Sequence, residues 1–230
     1  MFDGYIGHIL DGAVITLEVA FLSLLVATGL GLLGAALRLS HNRWLSRLSA
    51  WYCITIRGIP DLVLMLLFFY GGQILANQAL EKLGLGERFA FDQFISGVAT
   101  LGFIYGAYLS ETFRGAILAV PRGQAEAGQA YGMNKYQVFF GIVLPQMIRL
   151  ALPGYTNNWL VMTKASALVS VIGLQDMMYR AKEAGSATRE PFTYLLLAGA
   201  VYLAITSVSL LLVKWAEKRY SVGVRLGEVS

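Results

Sequence analysis

The chain has 230 residues, of which 57% are hydrophobic and only 14% are charged. Soluble domains carry about 25% charged residues, so this composition excludes an ordinary soluble protein and predicts an all-α polytopic membrane protein. One cysteine and two histidines offer no disulfide and no spacing of zinc ligands, which argues against redox or zinc chemistry.

Five apolar segments are long enough to cross the bilayer, because a helix needs about 20 residues to span the hydrocarbon core. In chain order they cover about residues 13–37, 52–75, 94–118, 152–174 and 192–213. The N-terminus lacks the basic residues that precede a cleaved signal peptide, so we expect the first span to stay in the mature protein. Without an internal repeat or a linker, the pattern predicts one transmembrane domain over residues 1–230.

Basic residues concentrate in three segments outside these spans, namely 38–52, 119–151 and 214–230. These segments hold ten Lys and Arg against three acids, whereas the N-terminal segment and the two other connections hold five against eight. Because basic residues favour the cytoplasmic side, we expect the N-terminus outside and the C-terminus inside. The net charge of +4 therefore follows from topology and needs no nucleic-acid partner.

A polar stretch at residues 122–145, here called the platform, interrupts the apolar pattern. Its first part carries small residues at helix-compatible positions, so that another surface could approach the backbone closely. Gly132 suits the position that follows a helix. Asn134 and Gln137 have the form of an N-cap with a reciprocal partner, so a second helix should run towards Leu144–Pro145. The pattern predicts a cytoplasmic helix, glycine turn and helix that dock another protein.

Nucleotide-binding and hydrolytic motifs are absent from the chain. It contains no G-x-x-x-x-G-K-[ST], no G-x-S-x-G and no H-E-x-x-H. We therefore expect a protein without catalytic residues, without a cofactor of its own and without a metal site. If ATP drives it, a separate subunit must bind the nucleotide and contact the platform.

Ionisable residues at membrane depth are the candidates for a substrate path, because burying a charge in lipid is costly. Glu18 begins the first span, where it either faces a cationic substrate or keeps its carboxylate in water at the outer interface. Arg57 and Asp61 are four residues apart, a spacing that allows an ion pair on one helix face. Pro60 makes a helix start or break there, and a broken helix can line a path.

Two further groups are candidates in the third and fourth spans. Glu111 and Arg114 are three residues apart, and mutual neutralisation explains them most simply. Lys164 has no acid within seven residues, and Asn157 shares its helix face. Lys164 either holds a substrate carboxylate or pairs with Glu111 or Asp61 across the bundle.

Aromatic and loop residues complete the candidate set. Asp176, just after the fourth span, is interpreted as a solvated acid at the outer mouth. Five aromatic side chains could stack on a planar cation, although packing or lipid contact is the commoner role. They are Phe68, Phe69, Tyr70, Tyr105 and Tyr108.

The platform resembles the EAA loop of ABC-importer permeases. That loop has Glu-Ala-Ala, a glycine four residues on, and a later Leu-Pro or Ile-Pro. The matching residues are Glu126, Ala127, Gly128, Gly132, Leu144 and Pro145. Gly128 stands where the pattern has alanine, a small and sterically mild departure.

Three further stretches are similar to permeases for polar amino-acid uptake: IRGIPDLVLMLLFFYG from Ile56, YGAYLSETFRGAILAVPRGQ from Tyr105, and ALVSVIGLQDM from Ala167. The closing RYSVGV from Arg219 extends the resemblance over nearly the whole chain. The chain resembles in particular the Q-type membrane subunit of histidine and lysine/arginine/ornithine importers, including Pro60-Asp61. By analogy, the platform residues contact a cleft of the ATPase.

The resemblance implies a heteromeric importer of the bacterial inner membrane. Its parts would be this chain, a homologous permease subunit, two ATP-binding subunits that hold ATP and Mg²⁺, and a periplasmic substrate-binding protein. Basic amino acids are the implied substrates, with opines or other polar amino acids as alternatives. A structural subunit whose partner alone binds substrate is another, and so is an ATP-independent secondary transporter, although the chain lacks an inverted repeat.

Overall fold

The computed structural model describes residues 2–84 and 90–220, with side chains described in 4–84 and 90–215. Those residues form helices and connections without a strand. The helices are α1 (Phe2–Arg38), α2 (Arg43–Gly58), α3 (Asp61–Leu66), α4 (Gly72–Lys82), α5 (Gln93–Ala119), α6 (Arg122–Ala130), α7 (Lys135–Val138), α8 (Leu144–Ala165), α9 (Met177–Thr188) and α10 (Pro191–Tyr220). The all-α prediction is therefore confirmed for this part of the chain.

Several of these helices are continuous with their neighbours. A π-helical turn at Leu67–Gly71 joins α3 to α4, and a second at Phe139–Val143 joins α7 to α8. A 3₁₀ segment at Ser166–Ile172 continues α8. Gly173 ends that segment with a φ of +92°, a left-handed conformation that glycine adopts without a steric cost.

Within the described residues, four helices are long and apolar enough to cross a membrane. They are Gly4–Arg38, Asp61–Lys82, Lys135–Ile172 and Pro191–Trp215. The predicted third span, 94–118, is a helix in the structure but does not belong to these four. Its glycines, serines and tyrosines lower its hydropathy, which a helix surrounded by protein tolerates because it does not need to face lipid.

The helices at the second and fourth predicted spans have different bounds from the predicted segments. The second was expected at 52–75, but α2 ends at Gly58 and a new helix starts at Asp61. Ile59 is extended (φ −109°, ψ 138°), as the residue before a proline prefers, so the expected break at Pro60 is confirmed. The fourth was expected to begin at residue 152, but its helix begins at Lys135 and runs through the end of the platform.

Helix α5 lies at the centre of the bundle and packs along α1. Glycines at the crossing let the two backbones approach closely. A Cβ on Gly102 would lie 2.5 Å from Val26 Cγ1, and one on Gly106 would lie 2.8 Å from Leu30 Cβ. The surrounding core is apolar and includes Leu101, Ile104, Leu109, Met65 and Met162. Central burial of α5 places its polar side chains where they contact α1, α2, α3 and α8.

Helix α2 runs back along the end of α1. Ser49 Oγ donates to the Gly34 carbonyl (2.8 Å), and Ser46 Oγ donates to the Arg38 carbonyl (3.0 Å). The partners of later α2 residues lie earlier in α1, so the two helices are antiparallel. Asn42 caps the start of α2 by accepting a hydrogen bond from the Trp44 N–H.

A second apolar cluster packs α9 and α10 against the start of α1. It contains Ile9, Ala13, Met177, Ala181, Ala184, Tyr194 and Ala198. The Arg180 guanidinium donates to the His8 carbonyl (2.9 Å), which ties the same elements together at the surface.

Candidate functional site

The platform folds as the helix, glycine turn and helix that its sequence predicts. Helix α6 ends in a Schellman motif, in which Met133 N–H donates to the Gly128 carbonyl and Gly132 N–H to the Gln129 carbonyl. Gly132 has a φ of +82°, so its left-handed conformation is required by the turn. A turn closed by two backbone hydrogen bonds fixes the angle between the two helices.

The second platform helix begins with the predicted capping box. Asn134 Oδ1 accepts from the Gln137 N–H (3.0 Å), and Gln137 Oε1 accepts from the Asn134 N–H (2.8 Å). Leu144 and Pro145 do not close the platform. They form the first residues of α8, after the π-helical turn, so the platform leads without interruption into a candidate membrane span.

Gly128 is buried, whereas Glu126 and Ala127 are exposed. A Cβ on Gly128 would lie 2.6 Å from Ile142 Cδ1 and 3.2 Å from Val138 Cγ2. The departure from the Glu-Ala-Ala pattern therefore has a local reason, because isoleucine at position 142 fills the space that an alanine methyl group would take.

Three aromatic side chains that the sequence interpretation did not single out project from the platform. Tyr131 is 92% exposed, and Tyr136 and Phe140 are also largely exposed. Large exposed aromatic groups are enriched at protein interfaces. The signal that could have found them is their position beside the two predicted caps, on short helices too polar for a membrane span.

A row of charged and aromatic side chains follows one side of α5, and we call Arg57, Asp61, Tyr105 and Tyr108 the α5 row. The Arg57 guanidinium carbon lies 5.2 Å from the centroid of the Tyr108 ring. Tyr108 stacks on Tyr105 with centroids 5.5 Å apart, and Tyr105 Oη donates to Asp61 Oδ2 (3.2 Å). A cation, two rings and a carboxylate are thus arranged in sequence.

The expected Arg57–Asp61 ion pair does not form among the described residues, where Glu111 is the acid in both ion pairs within 4 Å. Pro60 is the cause, since it ends α2 before Asp61 starts α3 and removes the helical i, i+4 geometry. Each side chain contacts α5 instead.

Glu111 and Arg114 neutralise each other as predicted. Arg114 Nε and Nη2 both donate to Glu111 Oε2, at 2.9 and 2.8 Å. Arg38, at the end of α1, lies 3.9 Å from Glu111 Oε1. This cluster joins the ends of α1 and α5, and it gives Glu111 a structural role whether or not it also faces a substrate.

Comparison with known proteins identifies the family to which this chain belongs. Residues 27–222 match the family model described as the binding-protein-dependent transport system inner membrane component. The chain belongs to this family. The permease is 48% identical over 229 residues to the histidine/lysine/arginine/ornithine transport system permease protein HisQ of Escherichia coli (strain K12), covering all of both chains.

Other relatives and solved structures agree with this assignment. The permease is 39% identical to the octopine transport system permease protein OccQ of Rhizobium radiobacter, covering 98% of this chain and 95% of that one. A crystal structure of an amino acid ABC transporter with histidines superposes with a TM-score of 0.82 at 30% identity, covering 95% and 96% of the two chains. The predicted family resemblance is confirmed, and the fold is that of an ABC-importer permease.

Among the described residues, the remaining candidates form no hydrogen bond or ion pair with the α5 row. Glu18 is exposed on the apolar outward face of α1, near Val14, Phe21 and Leu22. Lys164 and Asn157 are both exposed on α8, and among the described residues Lys164 makes no ion pair with Glu111 or Asp61. The proposed pairing across the bundle is therefore not present in the structure.

Aromatic residues of the second span serve packing. Phe69 is buried against Tyr70, and Phe68 meets Phe103 edge to ring at 5.3 Å. Phe68 and Phe103 also line an apolar cavity of about 480 Å³. Asp92, the charged residue of the lining, caps α5 by accepting a hydrogen bond from the Ile95 N–H (2.8 Å).

The interpretation of Asp176 as a solvated acid is wrong, because its exposed fraction is 0%. Asp176 caps α9 by accepting a hydrogen bond from the Tyr179 N–H (2.9 Å), and Met177 N–H donates to Thr16 Oγ1 of α1 (3.2 Å). Burial raises the pKa of the Asp176 carboxyl to about 6, although the hydrogen bond from Tyr179 and the charge of Lys182 act in the opposite direction.

Proposed function

We propose that this permease is a membrane subunit of an ATP-driven importer of basic amino acids. With a homologous subunit it forms the path for histidine, arginine, lysine and ornithine by alternating access. The observation that carries the proposal is full-length similarity to permeases named for histidine, lysine, arginine and ornithine transport. Opines are the nearest alternative substrates, because other relatives are named for octopine transport.

In this proposal the platform is the coupling site for a separate ATPase. Glu126, Ala127 and Gly132 lie on it, and Tyr131, Tyr136 and Phe140 supply exposed aromatic surface. ATP and Mg²⁺ are bound by two ATPase subunits and not by this chain. Closure of the ATPases moves the platform as a lever, and α7, the π-helical turn and α8 carry the movement into a membrane span.

The α5 row is the proposed contact of this chain with substrate. Its carboxylate at Asp61 suits a basic side chain, its partly exposed Tyr108 ring suits a planar guanidinium or imidazolium, and Arg57 suits the α-carboxylate. Lys164 and Asn157 on α8 are additional candidates for the carboxylate end. Glu18 and Glu111 are weaker candidates, because Glu18 lies on the outward face of α1 and Glu111 is paired with Arg114.

The proposed topology has five spans, with α5 as the third, the N-terminus outside and the platform in the cytoplasm. Replacing Tyr131 by cysteine in a chain that also carries Cys53→Ala gives a single thiol on the platform. A membrane-impermeant thiol reagent should label it in inverted vesicles stripped of the ATPase and not in intact cells. Labelling of intact cells would place the platform outside.

The decisive experiment is reconstitution of the whole importer with its periplasmic binding protein. We expect arginine-loaded or histidine-loaded binding protein to stimulate ATP hydrolysis and uptake. Stimulation by glutamine alone would show that basic amino acids are not the substrates. Uptake without ATP would favour a secondary transporter. Unchanged selectivity when Asp61 and Lys164 are both substituted would favour a structural subunit whose partner alone binds substrate.

A further inference from the structure

One face of α2 is exposed and divides along the helix axis into a cationic end and an apolar end. Arg43 and Arg47 occupy the first part of this face, one helical turn apart, with Trp44 beside them. Leu48, Trp51 and Ile54 continue the same face towards the end of the helix. We call this surface the α2 face and define it by these six residues.

All six side chains of the α2 face are exposed. The opposite side of α2 is the buried one, where Ser49, Cys53 and Ile56 pack against the bundle. Trp44 is 79% exposed and Trp51 is 68% exposed. In a membrane protein, an exposed apolar area of this kind contacts lipid or another apolar protein surface.

Neither guanidinium has a partner within the described part of the chain. Both ion pairs formed there involve Glu111, whose cationic partners are Arg38 and Arg114. No acidic residue occurs between Leu39 and Pro60, so α2 cannot supply a counter-charge of its own. Two cations one turn apart repel each other unless an anion lies between them.

We propose that the α2 face binds an anionic phospholipid, with the phosphate between Arg43 and Arg47 and an acyl chain along Leu48, Trp51 and Ile54. The distance from Arg43 to Ile54 is about 17 Å along the helix axis, at 1.5 Å per residue. Head group and first half of an acyl chain therefore both fit on the face.

The order of the side chains favours a lipid over other anionic or apolar partners. A nucleic acid or an acidic peptide would require cations along the whole face, but its second half is apolar. A membrane helix of a partner subunit would cover the apolar half and leave the two arginines without an anion. Tryptophan and arginine together are typical of the membrane interface, where rings and cations lie at head-group level.

The direction of α2 determines which membrane leaflet supplies the phospholipid. Because α2 runs antiparallel to the end of α1, its first turn lies at the same side of the membrane as Arg38. In the proposed topology this is the cytoplasmic side. The phospholipid would therefore come from the inner leaflet, but its binding to the α2 face does not depend on which amino acid the importer carries.

The first test is lipid binding to the purified complex, measured by native mass spectrometry with phosphatidylglycerol and phosphatidylcholine as probes. The double variant R43Q/R47Q should lose about 30-fold in phosphatidylglycerol affinity, since each basic residue near an anionic membrane contributes roughly fivefold. Phosphatidylcholine binding should change little. The control K82Q/R189Q removes the same two charges at other exposed positions and should bind both lipids like the unchanged protein.

A second measurement identifies what covers the apolar half. Leu48 is replaced by the photoreactive residue p-benzoylphenylalanine, and the complex is irradiated in membranes. Adducts that add the mass of one phospholipid support the proposal. A crosslink to the partner permease, or equal phosphatidylglycerol affinity in R43Q/R47Q and the unchanged protein, would overturn it.

Discussion

The platform and the α5 row are built in different ways. Every feature that shapes the platform is local: Gly132 closes α6, and Asn134 and Gln137 start α7 within a few residues of it. The α5 row brings together side chains from α2, α3 and α5 that are up to 51 residues apart in the sequence. We infer that the platform is a rigid part with a defined angle, whereas the row depends on how three helices pack.

The largest effect is expected from the platform turn. Gly132→Glu places a side chain at a φ of +82°, which costs about 1–2 kcal/mol for a residue other than glycine, and adds a charge to the proposed lever. Uptake should be lost while ATP hydrolysis persists, measured in proteoliposomes. Gly84→Glu is the control, because Gly84 has a similar φ of +73° and open space around it but lies outside the platform. Normal uptake by the Gly132 variant would refute the lever.

The next largest effect is expected in the row. Asp61→Asn removes the carboxylate charge but keeps the side-chain shape and the hydrogen bond from Tyr105. Because a charged hydrogen bond contributes about 1.5–3 kcal/mol, arginine uptake at low substrate concentration should fall about 10-fold to 100-fold. Tyr105→Phe, which leaves the Asp61 charge in place, should have a smaller effect. Equal arginine uptake by Asp61→Asn and the unchanged protein would exclude Asp61 from the path.

Asp176 depends both on local structure and on helix packing, because it caps α9 locally but is buried by α1 and α10. Its pKa is raised from 3.8 to about 6, so the folded state binds the proton more tightly than the unfolded state does. The stability that this provides is complete below pH 3.8 and is lost as pH rises through 6, a change of about 3 kcal/mol at 1.36 kcal/mol per pKa unit.

Asp176→Asn keeps a good N-cap and removes the titrating group. At pH 8 this variant should therefore unfold at a higher temperature than the unchanged protein, and the difference should shrink towards pH 4. Thermal unfolding of the detergent-solubilised complex at both pH values is the measurement. A lower unfolding temperature at pH 8 would mean that the buried carboxylate is stabilised by a partner.

The smallest effect concerns the cluster at the ends of α1 and α5. Glu111→Gln leaves Arg114 and Arg38 without their acid and should cost about 1 kcal/mol, because the group is partly exposed. Lys164→Gln is the matched comparison, since Lys164 is exposed and makes no ion pair within the described residues. Glu111→Gln should unfold at a lower temperature than Lys164→Gln. Equal unfolding temperatures would contradict the structural role of Glu111.

The difference between local features and features that depend on helix packing also explains what could be predicted from sequence. The platform turn and its capping box follow from residues that act on their neighbours, so the pattern predicted them correctly. Burial of Asp176 could not be predicted, because it depends on α9 folding back under α1 and α10. The cation–ring contact of Arg57 with Tyr108 likewise requires knowing that Pro60 ends α2 and that α5 lies beside it.

The bounds of the helices at the predicted spans could not be predicted from sequence for the same reason. Hydropathy placed the third span correctly as a helix, but its central burial is a property of the packed bundle. The basic segment at 214–230 lies mostly outside the residues whose side chains the structure describes, and so does the closing RYSVGV match. Its contribution to topology stays a prediction.

The central claim is that the platform transmits energy without regard to substrate, whereas the α5 row recognises charge. Uptake of arginine and of histidine at pH 8 tests it directly, because free histidine with a side-chain pKa of about 6.5 is mostly uncharged there. A weakened platform variant with residual activity should lower both rates by the same factor, whereas Asp61→Asn should lower the arginine-to-histidine ratio about tenfold. An unchanged ratio in Asp61→Asn, or a changed ratio in the platform variant, would contradict this division of roles.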